Sequence, residues 1–375
     1  MTDLLVVGGG TIGLGIAWRA ARAGLSVTVL DRRPASGASS VAAGMLAPVT
    51  ELHYGEEALL RLNLDSSELY PGWVAELEEA SGLSTGYRSS GTLMIARDTD
   101  DNVALEEVFR FQESLGLQVE RLSARECRRL EPALAPSVRG GIHVEGDHQV
   151  EPRALLDALQ RACERAGVVT IERQGVELMR LPERVTGVRT DDGQVLGASA
   201  IVLAMGAWTP LLEGVPEGLL PVRPVKGQLL HLTPLDDPTP LQRNLRGADV
   251  YMVPRADGRL VVGATVEERG FDTTVTAGAV YTLLRDAYEL VPSVIEMELS
   301  ATISALRPGT PDNAPLIGPA DLPGLFIATG HFRNGILLTP VTAEAAVGWL
   351  ADGDVDERIA PFSPERFAAE QAAPL

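Results

Sequence analysis

Apolar and polar positions recur along this chain with two different periods, and the changes of period mark its elements. The first thirty residues read "LLVVG", then an amphipathic stretch over 11–23, then "SVTVLD", which predicts a strand, a helix and a second strand. Helical spacing returns over 56–80, 101–115 and 151–166, with a strand-like "GTLMIA" between the first two. "VTGVRTDDGQVLGA" reads as a hairpin turning at Asp192-Gly193, and "SAIVLAMGAW" as a continuously apolar strand buried on both faces. From 225 to about 303 the pattern alternates in short segments, "KGQLLHL", "DVYMVPR" and "RLVVGAT", broken by one helix over 277–290. After Pro308, "APLIGP" and "GLFIATG" read as parallel-type strands before a final helix. These elements predict an α/β chain: a doubly wound, Rossmann-like domain made of 1–220 and 308–375, with an antiparallel α+β domain inserted at 221–307.

Composition narrows the function classes. At 375 residues the chain can bury a large core, and its formal net charge of −19 argues against nucleic acid or an anionic membrane as partner. An anionic substrate then needs a local cationic pocket. Cys127 and Cys163 sit in helical stretches outside any CxxC pattern, and His53, His143, His148 and His231 do not group, so neither a disulfide nor a metal site is expected. The start of the chain lacks a basic leader and no run approaches a membrane span, so the expected location is cytoplasmic.

The chemistry begins in "VVGGGTIGLG". Gly8, Gly10 and Gly13 form G-x-G-x-x-G between a predicted strand and helix. The first glycine permits the tight turn, the second lets backbone approach a pyrophosphate, and the third lets the helix lie close to the strand. Asp31 ends the next strand and can bond the ribose 2′-OH of an adenosine. The pattern identifies an ADP moiety. The loop over 32–48 and the long helical excursion after it, in place of short alternating units, favour FAD over NAD.

The motifs "VVGGGTIGLGIA", "GASSVAAGMLAP", "GDHQVEP", "LPVRPVKGQLL", "YMVPRADGRLVVGAT", "LRPGTPDNAPLIG" and "GHFRNGILLTP" together resemble the D-amino-acid oxidase family of flavoproteins, most closely its bacterial glycine oxidase branch. The resemblance implies an FAD-binding domain and an antiparallel substrate domain with the flavin ring between them. It implies non-covalent FAD contacts at Gly8, Gly10, Thr11, Ile12, Gly13, Asp31 and Arg32. It adds Ser39, Ser40, Ala42, Ala43, Gly44 and Met45 along the flavin, Val176 at the adenine, and Gly206 in the turn after the apolar strand. His331, Arg333, Asn334, Gly335, Ile336 and Leu337 would wrap the flavin pyrimidine, where a helix N-terminus stabilises negative charge.

For the substrate, the resemblance assigns Arg307 and Tyr251 to a carboxylate and Arg333 to a second cationic position. A guanidinium can grip a carboxylate with two parallel hydrogen bonds. Val266 stands at a pocket-wall position or packs in the core, and for Lys226, the lone lysine, an oxygen-activating role, a loop-anchoring role and a plain structural contact are all open. No catalytic base is required, because positioning and electrostatics can carry hydride departure from a neutral amine. The implied reaction is oxidation of glycine, with sarcosine or D-alanine as further substrates, to the imine and 2-oxo acid. O2 is the acceptor, H2O2 the by-product, and thiamine-thiazole synthesis the context. The alternatives are a sarcosine or D-amino-acid oxidase or dehydrogenase, and a non-catalytic flavin-binding subunit. A homo-oligomer is implied as well.

Overall fold

The computed structural model describes residues 2–216, 218–235 and 239–367. Its first sheet runs in the order Leu316–Pro319, Leu325–Thr329, Val195–Leu203, Thr2–Val7, Val27–Leu30, Val169–Ile171. The central strands are parallel, as their unbroken apolar runs require. Successive residues of Thr2–Val7 enter opposite cores. Leu4 and Val6 meet the helices Thr11–Arg22 and Pro152–Arg165, whereas Leu5 and Val7 meet Leu178, Val185 and Val188 of a hairpin on the other face. That hairpin, Gly175–Leu181 with Arg184–Thr190, joins the sheet through Val195–Leu203.

Helix Thr11–Arg22 also packs closely on the last long helix, Thr339–Asp352. A Cβ at Gly15 would stand 2.7 Å from the Thr339 Cγ2 methyl, and the Thr11 and Thr339 hydroxyls lie 2.9 Å apart. Helix Thr339–Asp352 is thereby fastened over Thr11–Arg22. Leu316–Pro319 differs from expectation, because it pairs antiparallel with Leu325–Thr329. The two strands form a hairpin at the sheet edge, where only a short connection separates them and no crossover helix intervenes.

The second sheet runs Glu298–Gly309, Arg223–Thr233, Leu260–Gly263, Tyr251–Pro254, Asn244–Arg246, Thr92–Ala96, Gly140–Val144, Glu120–Ser123. It therefore reaches outside 221–307 and takes three strands from the first half of the chain. Local periodicity marks "GTLMIA" as a strand but carries no signal for a partner 150 residues away. The alternation within Arg223–Thr233 is legible: Leu230 and Leu232 face Leu283, Ala287 and Leu290 of helix Ala277–Leu290, and Leu229 faces Val41, Ala43 and Met45. The opposite face of this sheet thus looks toward the first sheet's loops. No helix among the described residues is long and apolar enough to cross a membrane.

Two buried ionisable groups make the fold testable. Glu131 is fully buried and accepts hydrogen bonds from the amides of Gln242 and Arg243 (3.1 and 2.9 Å) and from the Arg243 guanidinium (3.3 Å). It thereby fixes the approach to Asn244–Arg246. Glu131→Ala would orphan those donors and is expected to cost about 3 kcal/mol, read as a lower urea midpoint at unchanged slope, with Glu131→Gln much milder. His231 is buried, and burial first, then the Arg153, Arg259 and Arg255 charges, push its pKa down to about 4. Between that value and its ordinary 6.5 the unfolded chain binds a proton that the native state does not. Stability is then full above pH ~6.5 and falls on acidification by up to about 1.4 kcal/mol per pH unit, a slope that His231→Gln should flatten in urea titrations between pH 6.5 and 4.5.

Candidate active site

The turn after Thr2–Val7 is shaped by what cannot fit. Gly8 has φ 112°, and a Cβ there would lie 2.3 Å from the Ala204 carbonyl oxygen. A Cβ at Gly13 would lie 1.9 Å from the Gly8 carbonyl oxygen. Helix Thr11–Arg22 starts at Gly10, which has no side chain to cap it; Ser39 Oγ accepts from the Thr11 amide at 3.2 Å. The remaining first-turn amides are an anion site. Asp31 accepts from the Gly9 and Arg33 amides at 2.6 and 2.7 Å, so its carboxylate is fixed beside this turn.

Residues 37–46 then cross to the second sheet. Gly44, at φ 72°, accepts at its carbonyl from the Val150 amide at 2.8 Å, and a Cβ there would strike the Val150 carbonyl oxygen at 2.1 Å. The Ala43 carbonyl accepts from Arg255, which is buried and ion-paired to Glu151 at 3.1 Å. Met45 pairs with Gln149 of the "GDHQVEP" segment.

One cavity of about 1010 Å³ is lined from both sheets. Of the residues expected at the cofactor, Gly8, Gly10, Thr11, Ile12, Asp31, Arg32, Ser39, Ala42, Ala43, Gly44, Met45, Gly206, His331, Arg333, Gly335 and Ile336 line it, and so do Tyr251 and Arg307. Gly13, Ser40, Val176, Asn334 and Leu337 are not in the lining. Gly13 is the helix–strand contact, Ser40 donates to the Gly37 carbonyl (2.9 Å), and Leu337 is core. The Val176 carbonyl accepts from the Glu213 amide (2.9 Å), and the wall beside it is formed by Gln174 and Gly175.

At the second sheet, Arg307 and Tyr251 project from strands separated by two others, and glycines clear the ground between them. A Cβ at Gly227 would stand 2.3 Å from Arg307 Nη1, and one at Gly263 would stand 2.4 Å from the Tyr251 hydroxyl oxygen. The Arg307 guanidinium donates to the Thr265 carbonyl at 3.0 Å. Burial pushes the Tyr251 hydroxyl pKa up, and the Arg307 charge opposes that shift.

Other guanidiniums of this region are already neutralised. Arg223 pairs with Glu268 at 3.0 Å, Arg246 with Glu51 at 2.8 Å, and Arg333 with Glu56. Arg307 has no carboxylate partner among the described residues, and is the charge left for an anion. His331 is buried with Nε2 3.1 Å from Thr342 Oγ1, and burial pushes its pKa down to about 3, so it stays neutral. The Leu338 amide donates to the Asn334 carbonyl at 2.9 Å, so amides 335–337 form a leading turn ahead of helix Thr339–Asp352.

Lys226 lies on the face away from the cavity. Its Nζ donates to Asp272 at 2.9 Å and its backbone pairs with Glu267, which anchors residues 267–272 to the sheet. Val266 lines the cavity at 69% exposure. The sequence reading missed Gly227 and Gly263, whose role depends on side chains of the neighbouring strands, and also Glu51, His53 and Arg246 at the cavity. Burial and the Arg333 charge hold the His53 pKa down.

The glycine cradle, the unpartnered helix amides and the fixed acid at Asp31 suit a dinucleotide diphosphate and ribose, and the cavity continues from there to Arg307. The residues present fit FAD.

The family model described as FAD dependent oxidoreductase (DAO) matches residues 3–349. The bifunctional protein ThiO/ThiG of Synechocystis sp. is 38% identical over 383 residues, spanning 100% of this chain, which covers only 55% of that protein. Glycine oxidase of Geobacillus kaustophilus is 35% identical across 97% of both chains, and its crystal structure superposes with TM-score 0.90 at 34% identity over 97% of this chain and 98% of that one. Hydrogen cyanide synthase subunit HcnC of Pseudomonas aeruginosa is 32% identical over 99% of this chain and 97% of its own. A match over nearly the whole chain, together with the shared fold, means that this protein belongs to the DAO family of FAD-dependent oxidoreductases.

Proposed function

We propose that this FAD-dependent oxidoreductase oxidises glycine, and other small amino acids such as sarcosine or D-alanine, to the imine and then the 2-oxo acid, with O2 as acceptor and H2O2 as product. The observation that carries this reading is the unpaired Arg307 guanidinium facing Tyr251 across a glycine floor in the cavity that holds the dinucleotide turn. Bound FAD supplies the two-electron acceptor. The protein's own contribution is positional: Arg307 and Tyr251 hold the substrate carboxylate, which fixes where the Cα–H bond points. The amides of Gly335 and Ile336, both in the lining, present fixed partial positive charge to the cavity. His331, neutral throughout the working range, adds no charge of its own. The likeness to ThiO/ThiG and to glycine oxidase supports glycine as substrate and thiamine-thiazole synthesis as context.

A second reading has a specific observation behind it. The likeness to HcnC, whose name makes it a subunit of hydrogen cyanide synthase, is nearly as extensive, and it supports a flavin-binding subunit or dehydrogenase in place of a free-standing oxidase. Anaerobic mixing of the FAD-loaded protein with glycine, sarcosine and D-alanine separates these. Bleaching of the flavin followed by peroxide on admitting air is expected; bleaching without peroxide favours the second reading, and no bleaching by any of the three rejects amino-acid chemistry.

The clamp makes its own prediction. Arg307→Ala should lower kcat/KM for glycine by about 2–4 kcal/mol of lost binding while the flavin spectrum is retained. Gly227→Ala should do much of the same, because its methyl displaces the guanidinium, at a stability cost of about 1 kcal/mol or less since the clash is with a flexible side-chain end. Flavin loss in either variant would make this corner structural.

A further inference from the structure

An amino acid has two polar ends, and Arg307 with Tyr251 addresses one of them. A guanidinium is a donor only, so the substrate's amino group needs an acceptor elsewhere in the cavity. Among the described residues the acids of the lining are Asp31, Glu51, Asp249 and Glu268. Asp31 is held by the Gly9 and Arg33 amides at the glycine turn, Glu268 is paired to Arg223, and Asp249 is exposed.

Glu51 differs from these. Its side chain is 12% exposed, and its Oε1 accepts from Arg246 Nη1 at 2.8 Å. Its Oε2 takes no hydrogen bond from any described residue. Arg246 stands directly across the strand pair from Tyr251, and Glu51, Arg246, Tyr251 and Arg307 line the same cavity. The loop that carries Glu51 is braced. Buried Asp147 accepts from the Val49 and Thr50 amides at 3.2 and 2.7 Å, and Gln112 donates to the Val49 carbonyl at 3.1 Å. The Glu51 amide itself donates to the Ala47 carbonyl at 3.2 Å.

We propose that Glu51, oriented by Arg246, accepts a hydrogen bond from the substrate's amino group and so makes the cavity select an amino acid over a plain carboxylate. The assignment rests on the amino-acid reading above. It gives Arg246 the part of a positioning residue, which spends its charge on one carboxylate oxygen and leaves the other for the ligand.

The test uses FAD-loaded enzyme and two ligands, glycine and acetate, which share the carboxylate and differ in the amino group. Glu51→Gln is expected to raise the glycine concentration for half-maximal anaerobic flavin reduction by about 10- to 100-fold, the range of a charge-assisted hydrogen bond. The acetate inhibition constant should stay the same or tighten, since a negative charge near its carboxylate is gone. Glu51→Asp keeps the charge and retracts it by one methylene, so it should show a smaller loss for glycine and none for acetate. Arg307→Ala should weaken both ligands. Unchanged glycine dependence in both Glu51 variants, or equal weakening of glycine and acetate, overturns the assignment. Wild-type enzyme that binds acetate but is not reduced by glycine, sarcosine or D-alanine overturns the amino-acid reading and this assignment with it, and that result is read before any variant is made.

Discussion

Backbone contact at Gly8 is the constraint from which the rest of the site follows. With the Ala204 carbonyl 2.3 Å from where a Cβ would be, the ends of two adjacent parallel strands can meet only if residue 8 has no side chain. Gly13 repeats the requirement one helical turn later, against the Gly8 carbonyl itself. The consequence is electrostatic as well as steric. The helix begins within contact of the strand ends, so its free amides and positive dipole end open into the cavity instead of into solvent. Gly10 offers no side-chain cap, and the Ser39 hydroxyl serves only the Thr11 amide. The acceptors that complete this turn have to arrive with a ligand, and a diphosphate supplies them.

The second sheet uses the same device for a different purpose. Strand Arg223–Thr233 presents odd-numbered residues toward the cavity and even-numbered ones away from it, which sends Leu229 to the loop over 41–45 and Lys226 to the far side. On the cavity face, Gly227 and Gly263 leave a bare strip of backbone between the strands that carry Arg307 and Tyr251. Two long polar side chains can then lie inward over the sheet. A valine at either glycine, which the pattern of a buried strand would otherwise favour, would push them apart.

Much of this is legible in the sequence. The βαβ start, the helix over 277–290 and the hairpin at Asp192-Gly193 all follow from local period and turn chemistry, and the structure has them. The extent of the second sheet was not legible, because Thr92–Ala96 pairs with Asn244–Arg246 and a strand's sequence does not name its neighbour. The antiparallel direction of the edge strand Leu316–Pro319 is illegible for the same reason: apolar content reports burial, not direction. At the site, the sequence singles out motif residues but not the glycines that make room for them. Gly227 is ordinary in its own strand and gains meaning only from the Arg307 side chain above it. Lys226 illustrates the converse: a conspicuous residue by composition, it turns out to secure a loop on the face away from the chemistry.

Charge bookkeeping within the cavity also explains why one arginine is singled out. A chain of net charge −19 repels an incoming carboxylate until screening gives way to local contacts, over about 8–10 Å at physiological salt. Inside that distance, four guanidiniums count. Arg223, Arg246 and Arg333 are each matched by a glutamate, so to an anion they present dipoles more than charges. Arg307 has no carboxylate partner among the described residues and donates to the Thr265 carbonyl. Among the described residues, its field is the one cationic field at this end without a carboxylate partner. An anion that enters is thus drawn to a single point rather than spread over a basic surface. Fixing one end of a molecule as small as an amino acid to a single point leaves rotation about that end as its main freedom, and a second contact is enough to remove it.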